Sequence, residues 1–99
     1  MTQWEEIYME EKFLAAVAAA REQAAKLGVR IRPVEDMSQA HRVLSGHRQS
    51  DGFNLLAQKK RLDLSIEALA VKKQYTPLFS DDQVNNALDR LLMAGYDFR

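Results

Sequence analysis

The stretch FLAAVAAAREQAAKLG, residues 13–28, decides the fold of this chain. Seven of its residues are alanine, and no glycine or proline interrupts it before Gly28. Alanine has the highest helix propensity of all residues, and glycine just past the last turn is a common helix terminator. Upstream, four glutamates between residues 5 and 11 complement the positive end of a helix dipole. The pattern predicts one long α-helix over residues 3–27.

Apolar residues of this helix recur at helical spacing and define two stripes. The main stripe consists of Met9, Phe13, Val17, Ala20, Ala24 and Leu27. The second, partial stripe consists of Trp4, Ile7, Leu14, Ala18 and Ala25. About 25 helical residues span roughly 37 Å, whereas a compact domain of this size has a radius of gyration near 13 Å. We therefore expect one end of the helix to project or to meet a partner. The main stripe could pack against a helix of the same chain or against a helix of a second copy, and the sequence leaves both possibilities open.

Shorter helices are predicted for the rest of the chain, with bounds set by glycine, proline and capping residues. The predicted spans are about 35–45, 52–61, 64–74 and from the cap at Ser80 to Gly95. Ser50 or Asp51 can cap the 52–61 helix, and Ser80 with Gln83 has the spacing of a capping box. No segment has the alternation expected of a sheet.

The predicted fold class is therefore all-α, with about five helices. A long alanine-rich N-terminal helix should pack against a compact bundle of shorter helices. We expect a single helical domain over residues 1–99, in which residues 1–28 form the long helix and residues 29–99 form the helical body.

Composition and charge exclude several functional classes. Hydrophobic residues make up 46% and charged residues 28% of the 99 residues, as in ordinary globular proteins. Fourteen basic and fourteen acidic residues leave no net field to attract nucleic acid or an anionic membrane. The chain has no cysteine, and its longest apolar run, residues 13–20, is far below the ~20 residues of a membrane span. We expect a cytoplasmic protein without a secretory signal or membrane anchor.

Reactive residues do not assemble into a motif for catalysis, a metal or a cofactor. His41 and His47 lack the i, i+4 spacing of a helical zinc site. Asp81 and Asp82 are adjacent in a first helical turn, where negative charge is favourable for dipole reasons alone. No phosphate-loop or Gly-x-Ser-x-Gly pattern is present. We expect no enzyme activity, no cofactor and no metal.

The polar stretch 46–52 is the best local candidate for a ligand site. His47, Arg48, Ser50 and the amino end of the following helix could converge on an anion. The alternative is an ordinary surface connection that caps a helix, and both interpretations stay open.

Cations at residues 52–74 support a DNA-binding alternative, because two short helices joined by a turn are typical of a helix-turn-helix. The candidate contacts are Arg48, Lys59, Lys60, Arg61, Lys72 and Lys73. Against this hypothesis, the would-be recognition helix carries Glu67 near its start, and zero net charge disfavours nucleic acid.

Large apolar residues at both ends of the chain support the preferred hypothesis, a small non-enzymatic interaction module such as an adaptor, inhibitor or regulator. Aromatic residues and Met are enriched in interface cores. The candidate contact residues are Trp4, Tyr8, Met9, Phe13, Val17, Tyr96 and Phe98. The partner would be another protein or a second copy of the chain, although both ends could instead fold back onto the same molecule.

Overall fold

The long helix α1 covers Gln3–Lys26 in the computed structural model, which describes residues 2–97. Thr2 begins it with a capping box, in which the Thr2 hydroxyl accepts from the Glu5 N–H and the Glu5 carboxylate accepts from the Thr2 N–H. Gly28 follows with a φ of +84°, a left-handed conformation that glycine adopts without strain. The helix predicted over residues 3–27 is confirmed.

Four shorter helices complete an all-α fold, and residues 2–97 contain no strand. They are α2 (Met37–Ser45), α3 (Phe53–Gln58), α4 (Ile66–Ala70) and α5 (Asp81–Met93). Two 3-10 turns, Leu62–Leu64 and Thr76–Leu78, precede α4 and α5. The predicted class of five helices, with one long N-terminal helix against shorter ones, is confirmed. None of the helices in the described part of the chain has both the length and the apolar character needed to cross a membrane.

Helices α3 and α4 are shorter than the predicted spans 52–61 and 64–74. The chain leaves the helical path after α3 at Lys60, whose φ is +58°. After α4, several N–H groups bond to the carbonyl three residues back, such as Lys72 N–H to Leu69 O and Tyr75 N–H to Lys72 O at 2.8 Å, and the regular α-helical ladder ends. These turns place Tyr75 edge-on against Phe13, so tertiary packing overrides the local helical preference.

The predicted side-chain cap of α3 is wrong. Its N-cap position is Gly52, which has no side chain. Ser50 donates to Glu67 instead, and one carboxylate oxygen of Asp51 accepts from the Arg32 N–H at 2.9 Å. Both residues hold distant segments together rather than capping the helix beside them.

Helix α4 lies at the centre of the core, with α1 and α5 packed against it, and all five of its residues are buried. From α1, the Phe13 ring packs edge-on against Tyr75 and Phe79, with ring centroids 5.3 and 5.1 Å apart. The molecule measures 39 × 25 × 25 Å, and the long dimension matches α1, which is about 36 Å long at ~1.5 Å per residue.

Two residues expected to contact a partner belong to this core instead. Phe13 and Val17 are 0% and 7% exposed, because the body of the same chain covers them. The expectation that they face a partner is therefore wrong, and this part of the main stripe packs within the molecule.

Candidate functional site

The amino-terminal turns of α1 project beyond the body. Residues 2–8 are all exposed, and the first fully buried residue of the helix is Phe13. Trp4 is 82% exposed, Ile7 42% and Tyr8 58%. These side chains are among the largest exposed apolar groups of residues 2–97, so the projecting end carries an apolar surface patch.

These three residues share one side of α1, opposite the core. At about 100° per residue, Ile7 and Tyr8 lie within roughly 60° of Trp4, whereas Phe13 lies about 180° from it. The same side continues through exposed Ala15 and Ala18. We call Trp4, Ile7, Tyr8, Glu11, Ala15 and Ala18 the outer face. Helix α1 thus carries apolar residues on two opposite sides, one buried and one in solvent.

Charge gives the projecting end a specific character. Residues 2–12 contain four glutamates and one lysine, Lys12. The Lys12 ammonium lies 4.8 Å from the centre of the Tyr8 ring, a cation–π contact that restrains both side chains. The outer face is therefore an aromatic patch within acidic surroundings.

The other predicted contact residues are not brought to this patch. Met9 is half-buried against the core, and Val17 and Phe13 are inside it. Tyr96 is half-buried in a cleft with Ala57 and Lys60 that no α1 residue lines. Burial there, followed by the charge of Asp63, raises the pKa of Tyr96. Phe98 lies outside the described residues.

The geometry removes the helix-turn-helix interpretation of residues 52–74. The predicted recognition helix is represented by α4, which has five residues and exposes none of them. A buried helix cannot enter a DNA groove. Lys59, Lys60, Lys72 and Lys73 are exposed at turns, whereas Arg61 forms an ion pair with Asp63 at 3.1 Å. The DNA-binding hypothesis therefore loses the recognition helix on which it depended, while the four lysines remain exposed.

A buried ion pair that the sequence did not predict anchors the polar loop 46–52. Glu67 is fully buried, accepts from the Ser50 N–H at 2.9 Å and from the Ser50 hydroxyl, and pairs with Arg90 at 3.4 Å. Arg90 also donates to the carbonyls of Val43 and Gly46. Both the N–H and the hydroxyl of Ser50 therefore donate to Glu67, so Ser50 is not free to donate to an anion, as the anion-site hypothesis for residues 46–52 requires. One feature of the sequence indicates that Arg90 is buried: it stands three residues after Ala87, at a position on the core face of α5.

Arg48 belongs instead to a cleft of about 510 Å³ between α1, α2 and the connections at residues 31–34 and 48–51. Four arginines from separate segments line it, namely Arg21, Arg32, Arg42 and Arg48. We call it the arginine cleft. No sequence pattern marks Arg21, Arg32 and Arg42 as members of one site, because they are spread over 22 positions of a neutral chain and only folding brings them together.

Comparisons of the chain with protein-family models, curated proteins and solved structures find no match.

Proposed function

We propose that the protein is a non-enzymatic protein–protein interaction module whose docking element is the outer face of α1. The observation that carries this proposal is the exposure of Trp4, Ile7 and Tyr8 on one side of a projecting helix, opposite its buried side. Large aromatic side chains dominate binding energy when a partner desolvates them.

The spacing of these residues favours a groove as the partner surface. Positions 4, 7 and 8 are related as i, i+3 and i+4, the anchor pattern of helices that bind in apolar grooves. Residues 2–8 are all exposed, so a groove could enclose the projecting turns from several sides. A groove that holds Trp4 and Tyr8 would bury the two largest side chains of the outer face.

The acidic character of the projecting end indicates the charge expected of the partner surface. Four glutamates against one lysine make residues 2–12 acidic, so a groove with basic residues at its rim would attract this end and orient it. Two copies of the same end would bring like charges together. The proposed occupant is therefore a different protein with an apolar, basic-rimmed groove, rather than a second copy of the chain.

A photo-crosslinking residue in place of Glu11, which is exposed on the outer face, would capture the partner for identification in cells that produce the protein. The purified partner should then bind the wild-type chain, and Trp4→Ala and Tyr8→Ala should each weaken binding by about 30-fold or more. Met93→Ala is the matched control, because Met93 is 89% exposed but lies at the end of α5. Its affinity should stay within twofold of wild type.

Two results would overturn the proposal. Equal affinities for Trp4→Ala, Tyr8→Ala and wild type would exclude the outer face as the docking element. A stable dimer of the purified chain in light scattering, dissociated by Trp4→Ala, would instead identify a second copy as the occupant.

A further inference from the structure

The arginine cleft concentrates positive charge that the rest of the molecule does not neutralise. Its lining includes four arginines and one carboxylate, Asp51, which already accepts from the Arg32 N–H. Within residues 2–97, the ion pairs are Arg61–Asp63 and Arg90–Glu67, so none of the four cleft arginines takes part in one. In a chain with zero net charge, this is a local excess of cations with exposed guanidinium groups.

Four positive charges without a carboxylate partner among residues 2–97 make the cleft attractive to anions. Arginine pairs with phosphate and carboxylate oxygens through two parallel N–H donors, which makes several converging arginines a characteristic anion site. Each of the four comes from a different segment, so the fold, and not local sequence, brings them together.

Parts of the cleft are already held in place by hydrogen bonds. The Arg21 Nε–H donates to the Ile31 carbonyl at 2.6 Å, while its two terminal nitrogens make no hydrogen bond to another residue in the described chain. The bond from the Arg32 N–H to Asp51 joins the 31–34 connection to the 48–51 connection. Glu67 in turn anchors Ser50 from the core side. Pre-organisation of this kind lowers the entropic cost of binding.

Apart from Pro33 and the polar residues Gln39, Gln49, Ser50 and Ser65, the rest of the lining consists of apolar side chains, and these determine what kind of anion would fit. They are Val17, Ile31, Val34, Val43, Leu64 and Ile66. A volume of about 510 Å³ lies within the ~300–1,000 Å³ range of small-molecule sites. An inorganic ion would leave this apolar surface in water, whereas a larger organic anion would cover it.

We infer that the arginine cleft binds a small organic phosphate that combines several negative charges with an apolar or aromatic body, as a nucleoside diphosphate does. Its phosphates would accept from the guanidinium groups, and its body would cover the apolar lining. A monocarboxylate would pair with one or two of the four cations and leave the others without an anionic partner. The cleft side chains do not belong to the outer face of α1, so this site is independent of the proposed protein contact.

Isothermal titration and amide NMR shifts with three probes test the inference, namely ADP, pyrophosphate and adenosine. ADP should bind more tightly than about 1 mM at physiological salt, and the shifts should map to the cleft residues. Pyrophosphate should bind about tenfold more weakly, and adenosine should not bind measurably, because each supplies only one half of the interaction.

Substitutions distinguish a specific ADP site in the cleft from a general attraction of ADP to positive charge. Arg42→Gln and Arg48→Gln should each weaken ADP binding by about tenfold through loss of charge-assisted hydrogen bonds. Both side chains are exposed and unpaired among residues 2–97, so the variants should keep the wild-type circular dichroism spectrum. Lys59→Gln and Lys72→Gln are matched controls, since they remove one positive charge outside the cleft and should change affinity by less than twofold.

Three outcomes would overturn the inference. The first is that ADP does not bind at concentrations up to several millimolar. The second is that the arginine and lysine substitutions weaken ADP binding equally. The third is that a single-stranded oligonucleotide binds through the same arginines while ADP does not bind.

Discussion

Replacing Arg90 with alanine should produce one of the largest losses of stability available to a single polar substitution in this protein. Its guanidinium donates to the carbonyls of Val43 and Gly46 and pairs with Glu67, which is fully buried. In Arg90→Ala, Glu67 keeps its hydrogen bonds from Ser50 but loses its only ion-pair partner within residues 2–97, and two carbonyls lose a charged donor.

The expected loss of stability follows from the charge of Glu67, which remains buried without an ion-pair partner. Removing one partner of a buried ion pair costs about 3–5 kcal/mol, because the other charge is left without compensation. A domain of this size is stable by about 5–15 kcal/mol, so the loss is a large fraction of the total. Arg90→Lys retains the charge but not the planar fork that reaches several acceptors, and it should lose less.

Urea titration followed by far-UV circular dichroism measures this loss. With a slope of ~1.5 kcal/mol per M, the midpoint should fall by roughly 2–3 M in Arg90→Ala. Tryptophan fluorescence is a poor probe here, because the single tryptophan, Trp4, is 82% exposed on the projecting end of α1. Its emission would follow that end rather than the core.

The control is Arg61→Ala, which removes the same side chain from an ion pair with Asp63 that is about half exposed. Its midpoint should match that of the wild type, because solvent screens such pairs. A loss below about 1 kcal/mol for Arg90→Ala, or equal losses for the two variants, would refute the claim that the Glu67–Arg90 pair anchors loop 46–52. If Arg90→Ala does not fold, Arg90→Lys supplies the measurement.

Four further substitutions test the packing and the helix ends by the same titration. Phe13→Ala should cost about 3–5 kcal/mol, because it removes a fully buried ring; a cost under 1 kcal/mol would contradict its place in the core. Gly52→Ala should cost about 2–3 kcal/mol, since φ is +76° and the new Cβ would lie 2.9 Å from Val29 Cγ1. Gly95→Ala has the same φ but no heavy atom within 4 Å, so about 1 kcal/mol of backbone strain remains; equal losses at both glycines would show that the contact with Val29 is unimportant. Ser80→Ala should cost about 1 kcal/mol through loss of the α5 cap, and an unchanged midpoint would contradict that role.

Of the fold, the parts predicted best are those with short-range signals. Helix α5 carries its capping box within four residues, and the Gln83 N–H donates to the Ser80 hydroxyl as the spacing predicts. Helices α3 and α4 were predicted too long, because Lys59, Lys72 and Lys73 favour helix by propensity while the chain turns to bury Tyr75 and Leu62.

Of the candidate sites, the outer face was partly predictable. Trp4 and Tyr8 were expected at an interface and are exposed, and the second stripe already contained Ile7. Phe13 and Val17 were assigned to the same surface because periodicity shows which residues share a face. It does not show which of two faces the rest of the chain will cover.

The sequence by itself determined the helical class, the extent of α1 and the strong cap of α5, because these depend on interactions between residues at most four positions apart. Only the tertiary structure decided that α4 is the buried centre, that Glu67 meets Arg90 across 23 positions, and that four arginines share one cleft. Contacts between distant segments depend on how all the helices pack together, so no local pattern contains them.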